Sequence, residues 1–197
     1  MLVLNRTAAQ AGFMDENPSS AEFDHDAAFE PPVAWPQQDT EQLAEGGDPE
    51  AQFRMGLAYA CHGTVASFSH AGEWYQKAAD QGHTLAQFNL GVMYRRGQGF
   101  GRDRDRSRFW ITRAAEAGDP GAQYMLGMTQ NRTSLDEAAT LAKESRIEAY
   151  KWLQLAAAQG YGEALAGCDL VAMGMSIEGV KEGMRRASVF VPRADFK

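Results

Sequence analysis

The residues that could do chemistry in this chain are few, and their spacing limits what that chemistry could be. Gly97 to Gly101, GQGFG, has the glycine density of a phosphate-cradling loop. Such a loop follows a strand and opens a helix whose N–H groups face the phosphate. Here a helical pattern precedes it, so it reads as a turn between helices. RDRDRSR, Arg102 to Arg108, with Arg95, Arg96 and Arg113 nearby, could meet a phosphate or an acidic partner. Asp103 and Asp105 neutralise part of that charge, so the first reading is a solvated helix start. A net charge of −7 argues against nucleic acid as the partner.

The remaining candidates point to no metal, no cofactor and no catalytic constellation. His25, His62, His70 and His83 lack the i, i+4 spacing of a metal pair and read as surface or loop residues. Cys61 and Cys168 have no CxxC partner, which excludes a zinc site or a disulfide framework and leaves two plain thiols. Asn131-Arg132-Thr133 matches a glycosylation sequon, but in a cytoplasmic protein it is a coincidence.

Charge divides the chain. Residues 1–50 hold eleven acidic side chains and one basic, and residues 51–197 hold fifteen acidic and eighteen basic. Residues 1–38 form an acidic arm with Pro18, Pro31, Pro32 and Pro36, expected to be extended or disordered apart from a short helix around Ser20 to Phe29. Phe13, Phe23, Phe29 and Trp35 lie among its carboxylates, a composition suited to docking on a basic groove of this protein or of a partner. The opening MLVLNRTAAQAGF lacks the apolar core of a secretory signal, and there is no 18-residue apolar run. The expectation is a cytoplasmic protein, or a periplasmic one if a leader has been removed, with no membrane segment.

The elements that must position these residues repeat. GDPEAQFRMG (Gly47 to Gly56), GHTLAQFNLG (Gly82 to Gly91) and GDPGAQYMLG (Gly118 to Gly127) place Ala51, Ala86 and Ala122 at steps of 35 and 36 residues, the period of stacked helical hairpins. A second echo follows each, with Trp74, Trp110 and Trp152 four residues before Ala78, Ala114 and Ala156. The chain therefore alternates a first-type and a second-type helix from about Asp39, opening on a half-repeat.

Asp48-Pro49 and Asp119-Pro120 mark helix starts, and Gly82, Gly118 and Gly160 suit left-handed caps at helix ends. Gly56, Gly91 and Gly127 recur inside helices at a cost of about 1 kcal/mol each, which calls for close passage of a neighbouring backbone. The third repeat carries about six extra residues in TQNRTSLDEAATLAKESR, expected as a longer, partly helical connection protruding from one edge. A degenerate fourth copy puts Cys168 in the place of Met55, Leu90 and Leu126. A last helix, capped by Ser176, would cover the open end with Val180 and Met184.

Ala-x-x-x-Leu-Gly-x-x-Tyr, then Gly-x-Gly-apolar-x-x-Asp, then Trp-x-x-x-Ala-Ala-x-x-Gly resembles the Sel-1-like repeat, a relative of the tetratricopeptide repeat. The second copy carries it best, through Ala86, Leu90, Gly91, Tyr94, Gly97, Gly99, Phe100, Asp103, Trp110, Ala114, Ala115 and Gly118. The first copy lacks the Gly-x-Gly turn, and the third lacks both turn and tyrosine. The resemblance implies an all-α, right-handed superhelical α-solenoid of three to four antiparallel helix pairs with a C-terminal capping helix. The repeats would occupy residues 39–187 and a tail residues 188–197.

The resemblance further implies a non-enzymatic adaptor that binds a partner protein or peptide. Alternatives are an immunity-type inhibitor of a toxic enzyme, with the third-repeat insertion as plug, and a β-lactam-binding or weakly hydrolytic protein. The last fits poorly, since the paired cysteines of such members are absent. In a solenoid the first-type helices line the inner face, where positions that vary between copies are free of packing duty. Arg54, Asn89 and Met125 form one such rank, Ala58, Met93 and Thr129 another, and Arg96 adjoins them; these are the expected binding residues.

Overall fold

The computed structural model describes residues 38–135 and 138–193. The acidic arm with its aromatics and the short helix expected around Ser20 to Phe29 lie outside the described residues, apart from Gln38; His25 lies outside them too. The described residues form helices and no strand: α1 (Gln38–Glu45), α2 (Pro49–Ala60), α3 (Val65–Asp80), α4 (Thr84–Arg96), α5 (Arg104–Glu116), α6 (Pro120–Thr133), α7 (Ala139–Ala158), α8 (Ala164–Ala172) and α9 (Ile177–Ser188). First-type α2, α4 and α6 pair with second-type α3, α5 and α7, and α3 on α4, α5 on α6 and α7 on α8 join one pair to the next.

Local chemistry sets most of the repeat boundaries, though α7 and α8 start without a side-chain cap. Asp48 and Asp119 accept the N–H groups of Ala51 at 2.7 Å and Ala122 at 2.6 Å, each followed by proline at the first helical position. Gly47, Gly82, Gly118 and Gly160 take φ of 99°, 90°, 101° and 78°, so the next residues can donate back, His83 N–H to Ala78 at 3.0 Å and Asp119 N–H to Ala114 at 2.9 Å.

His83 stands where the other copies have aspartate, and it is no idle loop histidine. Its Nδ1 accepts the Ala86 N–H at 3.2 Å, which leaves the proton on Nε2, 3.1 Å from Glu50. The ring stacks on Phe53 with centroids 4.5 Å apart. The bond from His83, assisted by Arg54, holds the Glu50 carboxyl below its ordinary value. One imidazole thus starts α4 and ties it to α2.

Inside the stack the recurrent glycines do meet a neighbour, chiefly a large side chain of the partner helix. A Cβ on Gly56 would run into the Tyr75 ring, one on Gly91 would lie 2.8 Å from the Ile111 side chain, and one on Gly127 would sit 2.8 Å from Leu153 Cγ and 2.9 Å from the Ala149 carbonyl. Each tryptophan fills the space between its own hairpin and the preceding one: Trp110 joins Ala78, Ala86 and Leu90, and Trp152 joins Ala114, Ala122 and Leu126. Van der Waals contact on these small residues is what the alternation of large and small provides.

A polar ladder runs through this apolar stack. Buried Gln52, Gln87 and Gln123 donate Nε2 to the carbonyls of Ala44, Ala79 and Ala115 at 3.1, 3.2 and 3.2 Å, clipping every first-type helix to the end of the helix before it. Ala44 belongs to α1, which is therefore the second half of a second-type helix, as the half-repeat reading requires. Gln81 donates to Gln52 Oε1 at 2.7 Å and Gln159 to Gln123 Oε1 at 2.9 Å. The equivalent position in the middle copy is Ala117, and Gln87 Oε1 is buried without a partner.

The third-repeat insertion is partly helical: its residues 139–146 form the first turns of α7, which has 20 residues against 13 in α5, with Ala142 buried. Helix α9 crosses this extension: Arg186 reaches Glu144, Glu148 and Glu182, and Gly183 lies against Tyr150. Val180 packs on the cluster of Ala149, Tyr150, Leu153, Cys168 and Val171, but Met184 is exposed, and α9 approaches α7 through Gly179 and Gly183. Residues 189–193 continue past α9, with Phe190 edge-on to Trp152 and Arg193 bound to Glu116 through both backbone and side chain.

Candidate functional site

The GQGFG segment is a turn. Gly97 ends α4 at φ 73°, and Gly99, also at φ 73°, lies so close to Phe68 that any Cβ would overlap the Phe68 carbonyl. Ser69 donates to the Gly99 carbonyl at 3.2 Å, and Phe100 stacks on Tyr94 at 4.9 Å while pressing on Gly72. The glycines let this turn fold back onto α3.

Asp103 caps α5, accepting the N–H groups of Asp105 and Arg106, and its other oxygen lies 3.5 Å from Arg106. Arg106 in turn donates to the Tyr94 hydroxyl at 3.1 Å. Arg113 lies over Phe109 and Trp110, away from the other arginines. Of the two carboxylates expected to neutralise the arginine run, Asp103 is spent on the helix start and on one guanidinium, and Asp105 makes no ion pair among the described residues.

The others converge. A groove of about 1020 Å³ runs along α6, bounded by α4 and α5, and Arg95, Arg96, Arg102, Arg104, Arg108 and Arg132 line it. Among the described residues no carboxylate lines it and none pairs with these six. Arg102 Nε donates to the Arg95 carbonyl at 3.1 Å. Partial burial, together with the charges of Arg96, Arg132 and Arg102, lowers the Arg95 pKa. Apolar groups continue the lining, among them Phe88, Val92, Tyr124, Met128 and Leu135, and Tyr124 stacks on Tyr161 at 5.0 Å.

Of the expected binding residues, Arg96, Met125 and Thr129 line this groove. Asn89 and Met93 do not belong to any open surface: they are 2% and 4% exposed, Asn89 beside the Tyr75 hydroxyl and Met93 in the core with Tyr94. Their register matches Met125 and Thr129, but the Gly99–Phe100 turn closes over that part of the stack. Arg54 is exposed and paired with Glu50 at 2.9 Å, and Ala58 is half-buried on the same helix. The contribution of α5 was hidden from a reading confined to first-type helices. Its signal was the change from Phe68 and Gly72 in the first copy to Arg104 and Arg108 in the second.

Cys168 is buried against Gln154, and burial, with Asp169 nearby, pushes its thiol up to about 11; Cys61 is exposed at the end of α2. No group of three His, Cys, Asp or Glu residues able to hold a metal ion occurs among the described residues. Nor is any described helix long and apolar enough to cross a membrane.

Hairpins joined edge to edge, each touching only its neighbours, define an α-solenoid. Within that class the chain belongs to the Sel1 repeat family, whose model matches residues 49–83, 84–119 and 120–161. Helices α1, α8 and α9 lie outside the matched repeats. A Sel1 repeat protein from Oxalobacter formigenes is similar at 36% identity and a TM-score of 0.54, over 66% of this chain and 95% of that one. A protective antigen present in uropathogenic Escherichia coli strains, displaying an SLR fold, shares the architecture at 24% identity and a TM-score of 0.67, over 80% of this chain. The present chain spans 32% of that antigen. No curated protein matches at a significant level. Sel1 repeats typically mediate protein–protein interaction, and proteins built from them are generally non-catalytic scaffolds.

Proposed function

We propose that this protein is a non-enzymatic adaptor or regulator, and that it holds a partner protein in the groove along α6. The observation that carries the reading is the concentration of guanidiniums, unpaired among the described residues, in a concave, partly apolar space between two repeats. A solenoid has no packing need for charge there, whereas recognition does. Arg96, Met125 and Thr129 are the first contacts we assign, with Arg54 and Ala58 further along the first-type helices.

A photo-crosslinking residue placed at Arg96 or Thr129 is expected to trap a discrete partner in the native host. The same residue at exposed Lys77, on second-type α3, should trap none. Adducts from Lys77 alone would place recognition on the other side of the stack, and substrate turnover by the purified chain would end the adaptor reading. For the immunity-type alternative, the part of the insertion that begins α7 is held by Arg186 through Glu144, which weighs against a free plug there.

A further inference from the structure

We infer that the segment recognised in the groove is an extended, acidic stretch of a protein, with an aromatic or aliphatic anchor set a few residues from two or more carboxylates. The inference rests on the protein-binding reading above and adds the chemistry of the partner. Along α6 charge is concentrated at one end of the lining, although Met128 and Leu135 carry apolar surface on to that end. Gly121, Tyr124 and Met125 lie toward its N-terminal end, beside Phe88 and Tyr161, whereas Arg132 lies near its C-terminal end. The C-terminal end of α4 brings Arg95 and Arg96 to this second region, and the antiparallel start of α5 brings Arg104 and Arg108.

At 1.5 Å per helical residue, the step from Met125 to Arg132 is about 11 Å, which an extended chain covers in about three residues. An apolar side chain against Phe88 and Met125 therefore puts carboxylates about three residues away among the guanidiniums. Planar guanidiniums bind carboxylates in two-pronged fashion, and methionine adapts to an anchor of variable shape. Among the described residues no carboxylate pairs with Arg95, and partial burial, with the charges of Arg96, Arg132 and Arg102, lowers its pKa.

Nucleic acid fits the same groove less well. The chain carries a net −7, which repels a polyanion longer than the groove, and the Tyr124 ring is already stacked on Tyr161 rather than open to a base.

The test uses the full chain and a displayed library of random peptides of about twelve residues. Recovered peptides should combine Asp or Glu with Phe, Leu or Met at about the spacing given. In fluorescence polarisation, binding by a recovered acidic peptide should weaken at least about tenfold in Arg96→Glu/Arg132→Glu, and should fall as salt rises. Exchanging the peptide's carboxylates for lysine should abolish it. Both arginines are exposed, so circular dichroism should show an unchanged fold.

Recovery of no peptide, or of neutral or basic ones only, overturns the inference. If neutral or basic peptides still lose binding in Met125→Arg, the groove remains the docking place and only the acidic chemistry falls. If they bind Met125→Arg and the double variant as well as the parent, the groove falls with it. Displacement of an acidic peptide by an oligothymidine at lower concentration than by unlabelled peptide would assign the site to nucleic acid and overturn the proposal.

Discussion

The junction between the first and second hairpins and the junction between the second and third are built on the same register, yet one is filled and the other open. At the first, Met93, Tyr94 and Phe100 close over Phe68 and Gly72. At the second, the corresponding positions are Thr129, Gln130 and a turn that the third copy lacks, facing Arg104 and Arg108 instead of Phe68 and Gly72. Farther along the first-type helices, Ala60 and Cys61 give way to Arg95 and Arg96. A repeat fold requires that every junction be bridged by the Trp/Ala and Leu/Gly contacts, and both junctions keep these. What lies beyond that minimum is free to vary, and variation there turns a core into a site.

The filled junction is broken most severely at Gly99. Gly99→Ala forces a side chain into a left-handed backbone and onto the Phe68 carbonyl, and should cost about 2–3 kcal/mol in urea unfolding. Gly101→Ala, in the same loop but with open space around it, should change stability by less than about 0.5 kcal/mol.

A smaller effect of opposite sign is expected at Ala117. Ala117→Gln would supply the donor that Gln52 and Gln123 already have, and should stabilise by about 1 kcal/mol, or about 3 °C in Tm by calorimetry. If the variant gains nothing, the ladder is not what holds successive hairpins in register.

The far end of the stack answers to acid. Bonds from Arg185 and Arg186 hold the Glu182 carboxyl at about 2, below its ordinary 4.5. A depressed carboxyl stabilises fully above the unfolded value and progressively less as pH falls through the folded one. The contribution of Glu182 should therefore fade between about pH 4.5 and pH 2, and Glu182→Gln should flatten that part of a pH–Tm profile.

Smallest of all, Arg95→Gln should raise Tm by about 1 °C at low salt by relieving repulsion in the open groove, with the gain vanishing as salt rises. A loss of stability would mean that these guanidiniums have partners after all.

The architecture was legible because its signals are redundant. Gly82, Gly118 and Gly160 end helices, Asp48 and Asp119 begin them, and the tryptophans keep the period, so each repeat restates the same instructions. Chemistry confined to one copy was harder to read. Asn89 and Met93 share the register of groove residues, but Met93 is covered by Phe100, which folds back from a later turn, and Asn89 lies against Tyr75 of the preceding helix. Nothing in the spacing of His83 shows that it replaces an aspartate cap, although its place in the copy does. The helical part of the insertion is tied to α9, more than thirty residues downstream, where Arg186 meets Glu144 and Glu148, a contact that no local pattern announces. The arginine run was visible, but whether its aspartates would neutralise it depended on the direction in which Asp103 turned.

The segment after α9 adds a second fastening between the middle hairpin and the third, beyond the packing that neighbours already share. Arg193 grips Glu116 across 77 positions of sequence, and Phe190 seats on Trp152 along the way. Loosening this strand should merge or split the zones seen in hydrogen exchange: with it in place, the terminal hairpin and the middle one open as a single cooperative block. Cut free at Phe190, they should fray one after the other from the end.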